Sequence, residues 1–408
     1  MVEPRARRMH AQVVLLATAQ ALFQTASTIV VTIGGLAGSL IAPSRVLATA
    51  PVASMFLGTA LTMAPASMWM ARAGRRRGFI TGTLLGMLGG LLAAAGMYSG
   101  SLLALSLGTL LVGSHQAFAQ FYRFAASETA DDDFRPRAIS LVLAGGIFAA
   151  VVGPPLAALG QPVLGAPFVG SFLIISLVCA TAAMLMIPLR VPRPGRDGPQ
   201  SKPRPLLAIM RQPSYAVALF AAATGSGVMI LAMTATPLAV VGAHHGMAEA
   251  ATVIQLHTLG MFVPSLFTGS LITRFGAVRI MSFGVALLST HVLLSLTGVA
   301  IVSFGAALVA LGIGWNFLYV GGTTLLTSTY ASSEAGRAQA AHDLLVLLVV
   351  LASSFAAGAL LEHLGWQLLN VVLLPWLLAA AIAISRLQRR LSRANPVDER
   401  PSQATRCR

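Results

Sequence analysis

Twelve apolar stretches, separated by short polar connections, dominate the chain. Each is close to the about 20 apolar residues that one helix needs to cross a bilayer. Charged residues make up only 10% of the 408 residues, whereas about a quarter is usual for a soluble protein. We therefore predict an all-α membrane protein and exclude a soluble or disordered chain. The predicted spans are residues 12–34, 46–69, 78–98, 101–124, 137–158, 165–188, 214–241, 250–273, 278–299, 302–326, 338–361 and 366–385.

The basic residues indicate how these spans are oriented. The chain has 27 Lys and Arg against 12 Asp and Glu, a formal net charge of +15. All the basic residues except Arg45 and Arg123 fall in alternate connections or near the chain ends. This is the positive-inside distribution of a multi-pass membrane protein. We therefore expect a bacterial inner-membrane protein with both termini in the cytoplasm, and we expect no nucleic-acid partner.

The longest polar connection divides the predicted spans into two sets of six. It runs from Leu189 to Pro213 and is rich in Pro, Gly and Arg, a composition typical of a flexible linker. The predicted units are an N-terminal six-helix bundle over 1–188, a cytoplasmic linker over 189–213, a C-terminal six-helix bundle over 214–385 and a basic cytoplasmic tail over 386–408.

Short motifs recur between the two halves. Arg72 and Gly74 follow span 2, and Arg274 and Gly276 follow span 8 at an offset of 202 residues. An Arg-Ala pair opens span 5 and again span 11, at an offset of 200. A six-helix unit used twice is a known plan of secondary transporters, whose substrate site lies between the repeats.

These repeated connections resemble the G-x-L-a-D-R-x-G-R-R signature of the major facilitator superfamily. The acidic position of the signature is Ala71 in the first half and Thr273 in the second. The resemblance implies two pseudo-symmetric six-helix bundles that move a small organic solute by alternating access. The matching residues are Arg72, Gly74, Arg75 and Arg76 in the first half and Gly269, Leu271, Arg274 and Gly276 in the second.

Two further resemblances leave the direction of transport open. Span 5 contains Gly145-Gly146 and Gly153-Pro154-Pro155, which is similar to the Gly-Pro motif of drug–proton antiporters without its trailing glycines. The stretch from Tyr122 to Ala126 is similar to one in bacterial members of a riboflavin-importer type. Drug-type efflux and nutrient or vitamin uptake therefore remain alternatives.

Polar and aromatic side chains inside the spans are candidates for a substrate cavity, because polar groups are costly in hydrocarbon. Gln20 and Gln24 form a stripe on span 1, and two glutamines share one face of span 4. Two aromatic rings one turn apart in span 10 would suit a planar ligand. Helix–helix packing is the alternative role for each. The candidates are Gln20, Gln24, His115, Gln116, Gln120, Gln255, Trp315, Asn316 and Tyr319.

Three titratable or charged residues are candidates for a gate and for proton coupling. Asp343 is the one carboxylate well inside a predicted span, and His342 precedes it. Arg123 lies near the same cytoplasmic side. An Arg123–Asp343 pair would link the halves when the protein faces outward. Alternatively, Arg123 reaches the lipid headgroups or pairs with Glu128, and Asp343 accepts from a nearby hydroxyl.

The sequence contains no nucleotide-binding glycine loop, no H-E-x-x-H motif and no cysteine-rich metal spacing. We therefore expect no enzymatic activity and no cofactor. The expected partners are a small-molecule substrate, the lipid bilayer and, as a candidate coupling ion, the proton, acting on a monomer. A transporter-like receptor or membrane assembly protein is the alternative function.

Overall fold

A computed structural model describes residues 2–130, 135–160, 165–191, 204–331 and 334–394. The secondary structure of these residues is helical, and strands are absent from them. A short 3₁₀ helix also occurs at Arg45–Thr49. The α-helices are α1 (Val2–Ile41), α2 (Ala50–Ala73), α3 (Arg75–Ser99), α4 (Leu102–Ala119), α5 (Tyr122–Thr129), α6 (Arg135–Leu159), α7 (Val169–Met186), α8 (Leu206–Met210), α9 (Pro213–Gly242), α10 (Met247–Phe262), α11 (Ser265–Phe275), α12 (Ala277–Leu296), α13 (Ile301–Thr327), α14 (Ala335–Val371) and α15 (Leu374–Ala394).

Within the described residues, 9 helical segments are long and apolar enough to cross a membrane, or up to 10 if α10 and α11 form one bent span. One of the segments, Arg337–Leu391, has 55 residues and covers both predicted spans 11 and 12. The predicted span 5 falls on α6, whose apolar part, Ala144–Leu159, is shorter. A multi-pass helical protein is therefore confirmed, while the count of twelve spans stays a prediction.

Corresponding helices are in contact in the two halves. In the first half, α4 packs on α2 and α3, α1 packs on α6, and α7 packs on α1 and α3. In the second half, α13 packs on α10 and α12, α9 packs on α14, and α15 packs on α9 and α12. These contacts pair the helices of the two halves in the same order, while the two pseudo-symmetric six-helix bundles stay a prediction.

Glycines let α4 and α13 approach their neighbours closely. An added Cβ at Gly113 would overlap the carbonyl oxygen of Met55 in α2, and one at Gly312 would lie 2.5 Å from the carbonyl oxygen of His257 in α10. Small residues at such crossings are usual where helices pack in membranes. Gly113 and Gly312 are 199 residues apart, so they mark equivalent positions on the two helices.

Two other glycines form the same tight turn in each half. Gly74 joins α2 to α3 with φ 90° and ψ 158°, and Gly276 joins α11 to α12 with φ 86° and ψ 147°. A positive φ of this size favours glycine. The turns lie at the end of the molecule that carries Arg72, Arg75 and Arg274, which we call the basic end.

The halves contact each other at the end opposite the basic end and in the middle of the bundle. Gly35 of α1 lies against Leu238 of α9, and Gly358 of α14 lies against Thr49. The middle of α6 packs on α10. At the basic end, α5 packs on α1 and α6, and α11 packs on α10, α12 and α13. The structure is therefore closed at the end opposite the basic end.

The helices differ from the predicted segments in the following four places. The predicted linker contains α8, and α15 continues to Ala394, beyond the predicted start of the tail at 386. Predicted span 4 is interrupted at Gln120, where α4 ends and α5 follows. Predicted span 8 bends by 41° between α10 and α11, beside Pro264, because proline lacks the amide that would continue the helix. The rest of the linker, 192–203, and of the tail, 395–408, lies outside the described residues.

Candidate functional site

Two aromatic rings in the middle of α13 stack on each other. The ring centroids of Trp315 and Tyr319 are 4.9 Å apart and their planes differ by 14°. The indole Nε1 of Trp315 also donates a hydrogen bond to the Ser226 hydroxyl of α9 over 3.4 Å. Trp315 is half-buried, and Tyr319 is 37% exposed. The hydrogen bond to Ser226 therefore fixes the indole, while part of the pair stays accessible to a ligand. We call Trp315 and Tyr319 the aromatic face.

The neighbours of α13 show where this pair points. Gly312 faces α10, Gly314 faces α12 and Gly322 faces α9. At 100° per residue, Trp315 and Tyr319 lie in the sector between α9 and α10, on the side turned away from α12. The aromatic face therefore points towards the first half of the molecule.

The corresponding side of α4 carries amides instead of rings. Gly113 faces α2 and Phe118 faces α3, so Gln116 and Gln120 lie on the side of α4 turned away from α3. Both are half-buried, and the buried side-chain oxygen of Gln116 has no hydrogen-bond partner. We call Gln116 and Gln120 the amide face.

The two faces occupy equivalent positions in the repeat. The offset of 199 residues that relates Gly113 to Gly312 also relates Gln116 to Trp315 and Gln120 to Tyr319. Because a glycine of α4 and a glycine of α13 each pack against a carbonyl of the neighbouring helix, we expect the amide face and the aromatic face to lie at similar depths on the two halves. An inner surface with amides on one side and rings on the other can bind a planar polar heterocycle.

Helix α1 adds two more amides on the side of the first half. Ala21 packs against Gly145 of α6, and Ser27 contacts α2. Gln20 and Gln24 lie between these contacts, and both are half-buried. The structure therefore brings four of the predicted glutamines to the inner side of the first half.

Three other predicted cavity residues find partners within the protein. His115 is buried inside the first half, with its Nδ1 3.6 Å from the sulfur of Cys179. Asn316 is buried and donates to the Met261 carbonyl over 2.8 Å and to the Ser265 hydroxyl over 2.6 Å. Gln255 donates to a carbonyl of α6 over 2.9 Å and so joins the halves. These contacts give all three a role in packing.

The predicted gate residues have local partners in this structure. The imidazole of His342 donates through Nδ1 to Asp343 over 3.0 Å, and the Asp343 side chain is 53% exposed. The Arg123 guanidinium lies 4.9 Å from the ring centre of Phe124, and its buried Nε has no hydrogen-bond partner. Within the described part of the chain, no ion pair joins Arg123 to Asp343.

The alternative partner of Arg123 is already engaged. Glu128 binds Arg75 through two hydrogen bonds, Nη2 to Oε1 over 2.6 Å and Nε to Oε2 over 3.2 Å. The same guanidinium lies 5.3 Å from the ring centre of Phe121. Arg75 of the signature therefore fixes the connection between α2 and α3 to the end of α5.

The remaining signature residues make fewer contacts. Arg72 and Arg76 are exposed, and Arg274 lies 5.3 Å from the ring centre of its neighbour Phe275. A Cβ at Gly269 would have no atom within 4 Å, so packing does not require glycine there.

The ion pair between the linker and α14 was not predicted from the sequence either. Arg204 of the linker binds Glu334 at the start of α14 through its amide over 2.8 Å and through its guanidinium over 2.8 and 2.6 Å. Glu334 is 3% exposed. The Arg204 hydrogen bonds, together with the Ala331 amide, lower the pKa of Glu334 from 4.5 to about 2. The two residues are 130 positions apart, and no spacing pattern relates them.

Comparisons with known proteins agree with this architecture. Residues 13–341 and 233–406 match the Major Facilitator Superfamily. The riboflavin transporter RfnT of Brucella anthropi is 39% identical over 366 residues, which cover 89% of this chain and 92% of the relative. YddS of Bacillus subtilis, an uncharacterized transporter of the same type, is 29% identical over 84% of this chain and 82% of its own.

Solved transporters share the fold at low sequence identity. The POT-family transporter PepTSo superimposes with a TM-score of 0.72 at 12% identity, over 94% of this chain and 98% of its own. A mutant of the nucleoside transporter NupG gives a TM-score of 0.69 at 11% identity, over 91% and 99%. The family match across the chain and the identity to the Brucella protein lead to one conclusion: this chain belongs to the major facilitator superfamily.

Proposed function

We propose that this protein takes up riboflavin, or a closely related flavin, across the bacterial inner membrane. Membership of the superfamily makes it a multi-pass membrane transporter and not an enzyme. The relative at 39% identity is named a riboflavin transporter. That identity extends over nearly the whole of both chains, so it favours a related substrate and uptake over drug efflux.

The observation that carries the proposal is the stacked pair Trp315–Tyr319. A flavin has a flat three-ring system, and aromatic pairs gain about 0.5–1.5 kcal/mol from stacking beyond the area that they bury. The indole is tied to Ser226, so the platform is held in place before a ligand arrives. Such preorganisation reduces the entropy cost of binding.

The transport cycle that we propose is alternating access between two pseudo-symmetric six-helix halves. The recurring helix contacts and the offset of 199 between Gly113 and Gly312 support the pseudo-symmetry. With the basic end in the cytoplasm, as the positive-inside rule requires, a molecule closed at the opposite end faces inward. The halves would rock about the level of Trp315 and Gln116.

Arg123 and Asp343 are the gate in this proposal. In the inward-facing form they hold local partners, Phe124 and His342. When the basic end closes, α5 and α14 approach, and the guanidinium would meet the carboxylate. Protonation of Asp343 would weaken that pair, which provides a route for coupling uptake to protons.

Uptake of labelled riboflavin tests the proposed function. The protein is expressed in a bacterial strain that can neither make nor import riboflavin. We expect accumulation and growth at low riboflavin, and we expect Trp315→Ala to raise the KM about tenfold or more. Trp69→Ala is the matched control, because Trp69 lies exposed on α2.

The proposal is wrong if the protein is present in the membrane and no riboflavin enters the cells. Loss of preloaded riboflavin from cells without net uptake would favour efflux. High-affinity binding without movement in either direction would favour the receptor alternative.

A further inference from the structure

The amide face has an unused hydrogen-bonding group at the level where a ligand would lie. The side-chain oxygen of Gln116 is buried and has no partner. Most buried polar atoms in native proteins have a hydrogen-bond partner, because leaving one unpaired is costly. The Gln116 oxygen lies at an inner face, so it is available to accept from a donor group of a ligand.

The buried Asn316 and the more exposed Gln255 differ from Gln116, whose oxygen is both buried and unpaired. Asn316 uses its amide nitrogen on Met261 and Ser265, and its oxygen accepts from Thr268 over 2.7 Å. Gln255 donates to α6. Gln116 is therefore singled out among these residues by its free oxygen, and it occupies the position equivalent to Trp315.

We infer that Gln116 of the amide face binds the imide edge of the flavin while the aromatic face holds its rings. The inference rests on the proposed function and names the contact that selects the substrate. A carboxamide offers one acceptor and two donors. The flavin edge offers an N3–H between two carbonyl groups, so Gln116 can accept from N3–H and donate to a neighbouring carbonyl.

The directions of the side chains support this division. The indole plane of Trp315 contains the bond by which the ring projects from α13, and Trp315 lies in the sector of α13 between α9 and α10. A flat ligand stacked on the ring would lie parallel to that bond and could turn an edge towards α4. Gln116 lies at the same depth, with Gln120 one turn along the same side of the helix.

The test compares riboflavin with two analogues in the uptake strain. In 3-methylriboflavin a methyl group replaces the N3 hydrogen, and in an 8-dimethylamino analogue the change lies at the other end of the ring system. For the wild type we expect 3-methylriboflavin to inhibit uptake of labelled riboflavin at least about tenfold more weakly than unlabelled riboflavin does. The methyl group leaves a buried acceptor unpaired. We expect Gln116→Ala to reduce this preference to about twofold or less.

Two further variants distinguish recognition from folding. Gln116→Glu keeps an acceptor for N3–H, and we expect it to keep most of the preference. Gln116→Met removes both hydrogen-bonding atoms and keeps the side-chain length, so it replaces Gln116→Ala if that variant does not reach the membrane. Gln367→Ala is the control, because Gln367 is exposed near the opposite end of the molecule. The 8-dimethylamino analogue should compete with riboflavin equally well in the wild type and in every variant.

The outcomes separate the inference from the proposed function. If Gln116→Ala or Gln116→Met still prefers riboflavin to 3-methylriboflavin as strongly as the wild type does, the inference is wrong and the proposed function stands. A wild type that takes up riboflavin and 3-methylriboflavin equally well also overturns the inference. A wild type without any riboflavin uptake overturns the proposed function, and the inference with it.

Discussion

The inner sides of α4 and α13 are built on the same plan and carry different chemistry. Gly113 brings α4 close to α2, and Gly312 brings α13 close to α10. One turn further on, the first half has Gln116 and Gln120, and the second has Trp315 and Tyr319. The comparison teaches that α4 and α13 share a glycine where each packs on its neighbour, while the positions that we propose to face the ligand differ. Such a difference suits a ligand with flat faces and a polar edge.

The largest effect is expected when a methyl group is added at Gly113 or at Gly312, where α4 packs on α2 and α13 packs on α10. We expect Gly113→Ala to destabilise the protein by about 3 kcal/mol or more, because backbone atoms of α2 cannot move aside as side chains do. Gly312→Ala should have a smaller effect in the same direction, since its contact is longer. Thermal unfolding in detergent and abundance in the membrane measure both.

Gly269→Ala is the control, because the added carbon would meet open space. Equal stability of Gly113→Ala and the wild type would show that the two helices are not seated in the same way.

A second test concerns the two proposed gate residues, Arg123 on α5 and Asp343 on α14. We expect Asp343→Asn and Arg123→Gln each to impair transport and to shift accessibility of the basic end towards the inward-facing form. A direct pair should give a coupling of about 0.5–3 kcal/mol in a double-mutant cycle. The exchanged variant, Arg123→Asp with Asp343→Arg, should recover part of the outward-facing population. Labelling of a cysteine introduced on α5 measures the populations, and purely additive effects would contradict the gate.

A smaller effect on stability is expected from the ion pairs at the basic end, which also differ between the halves. Glu128 is bound by Arg75 of its own half, whereas Glu334 is bound by Arg204 of the linker. Because Arg204 lowers the pKa of Glu334 from 4.5 to about 2, the ionised carboxylate contributes stability above pH 4.5. That contribution is lost as the pH falls from 4.5 towards 2.

We therefore expect Glu334→Gln to lower the melting temperature by a constant amount between about pH 5 and 8, and by less at about pH 3. Glu249→Gln, at an exposed position near the opposite end, should show no such pattern. A melting difference that varies between pH 5 and 8 would contradict the assignment of this stability to Glu334.

The sequence predicted the helical membrane fold and the family because these depend on local patterns. Apolar length, basic connections and the turns at Gly74 and Gly276 are each visible in a few consecutive residues. The orientation of Gln116, Trp315 and their neighbours followed from helical periodicity. Span boundaries were less accurate, since a helix such as α15 continues beyond its apolar part.

Contacts between distant residues could not be predicted in this way. Nothing in the sequence relates Arg204 to Glu334, or Trp315 to Ser226, because tertiary packing determines both. Asn316 illustrates the same limit: a buried amide beside an aromatic residue suits a ligand or a helix contact equally, and its three partners belong to the protein. Burial and unpaired atoms, which only the structure gives, distinguish Gln116 from Asn316.

Flavin fluorescence in the purified protein tests the central claim, a flavin held against the aromatic face, most directly. A flavin stacked on an indole loses its emission, because the indole transfers an electron to the excited ring. We expect riboflavin emission to fall as wild-type protein is added, and we expect Trp315→Leu to bind more weakly and to quench bound flavin less, with Tyr319 as the remaining quencher. Quenching and affinity that are unchanged in Trp315→Leu would contradict the account.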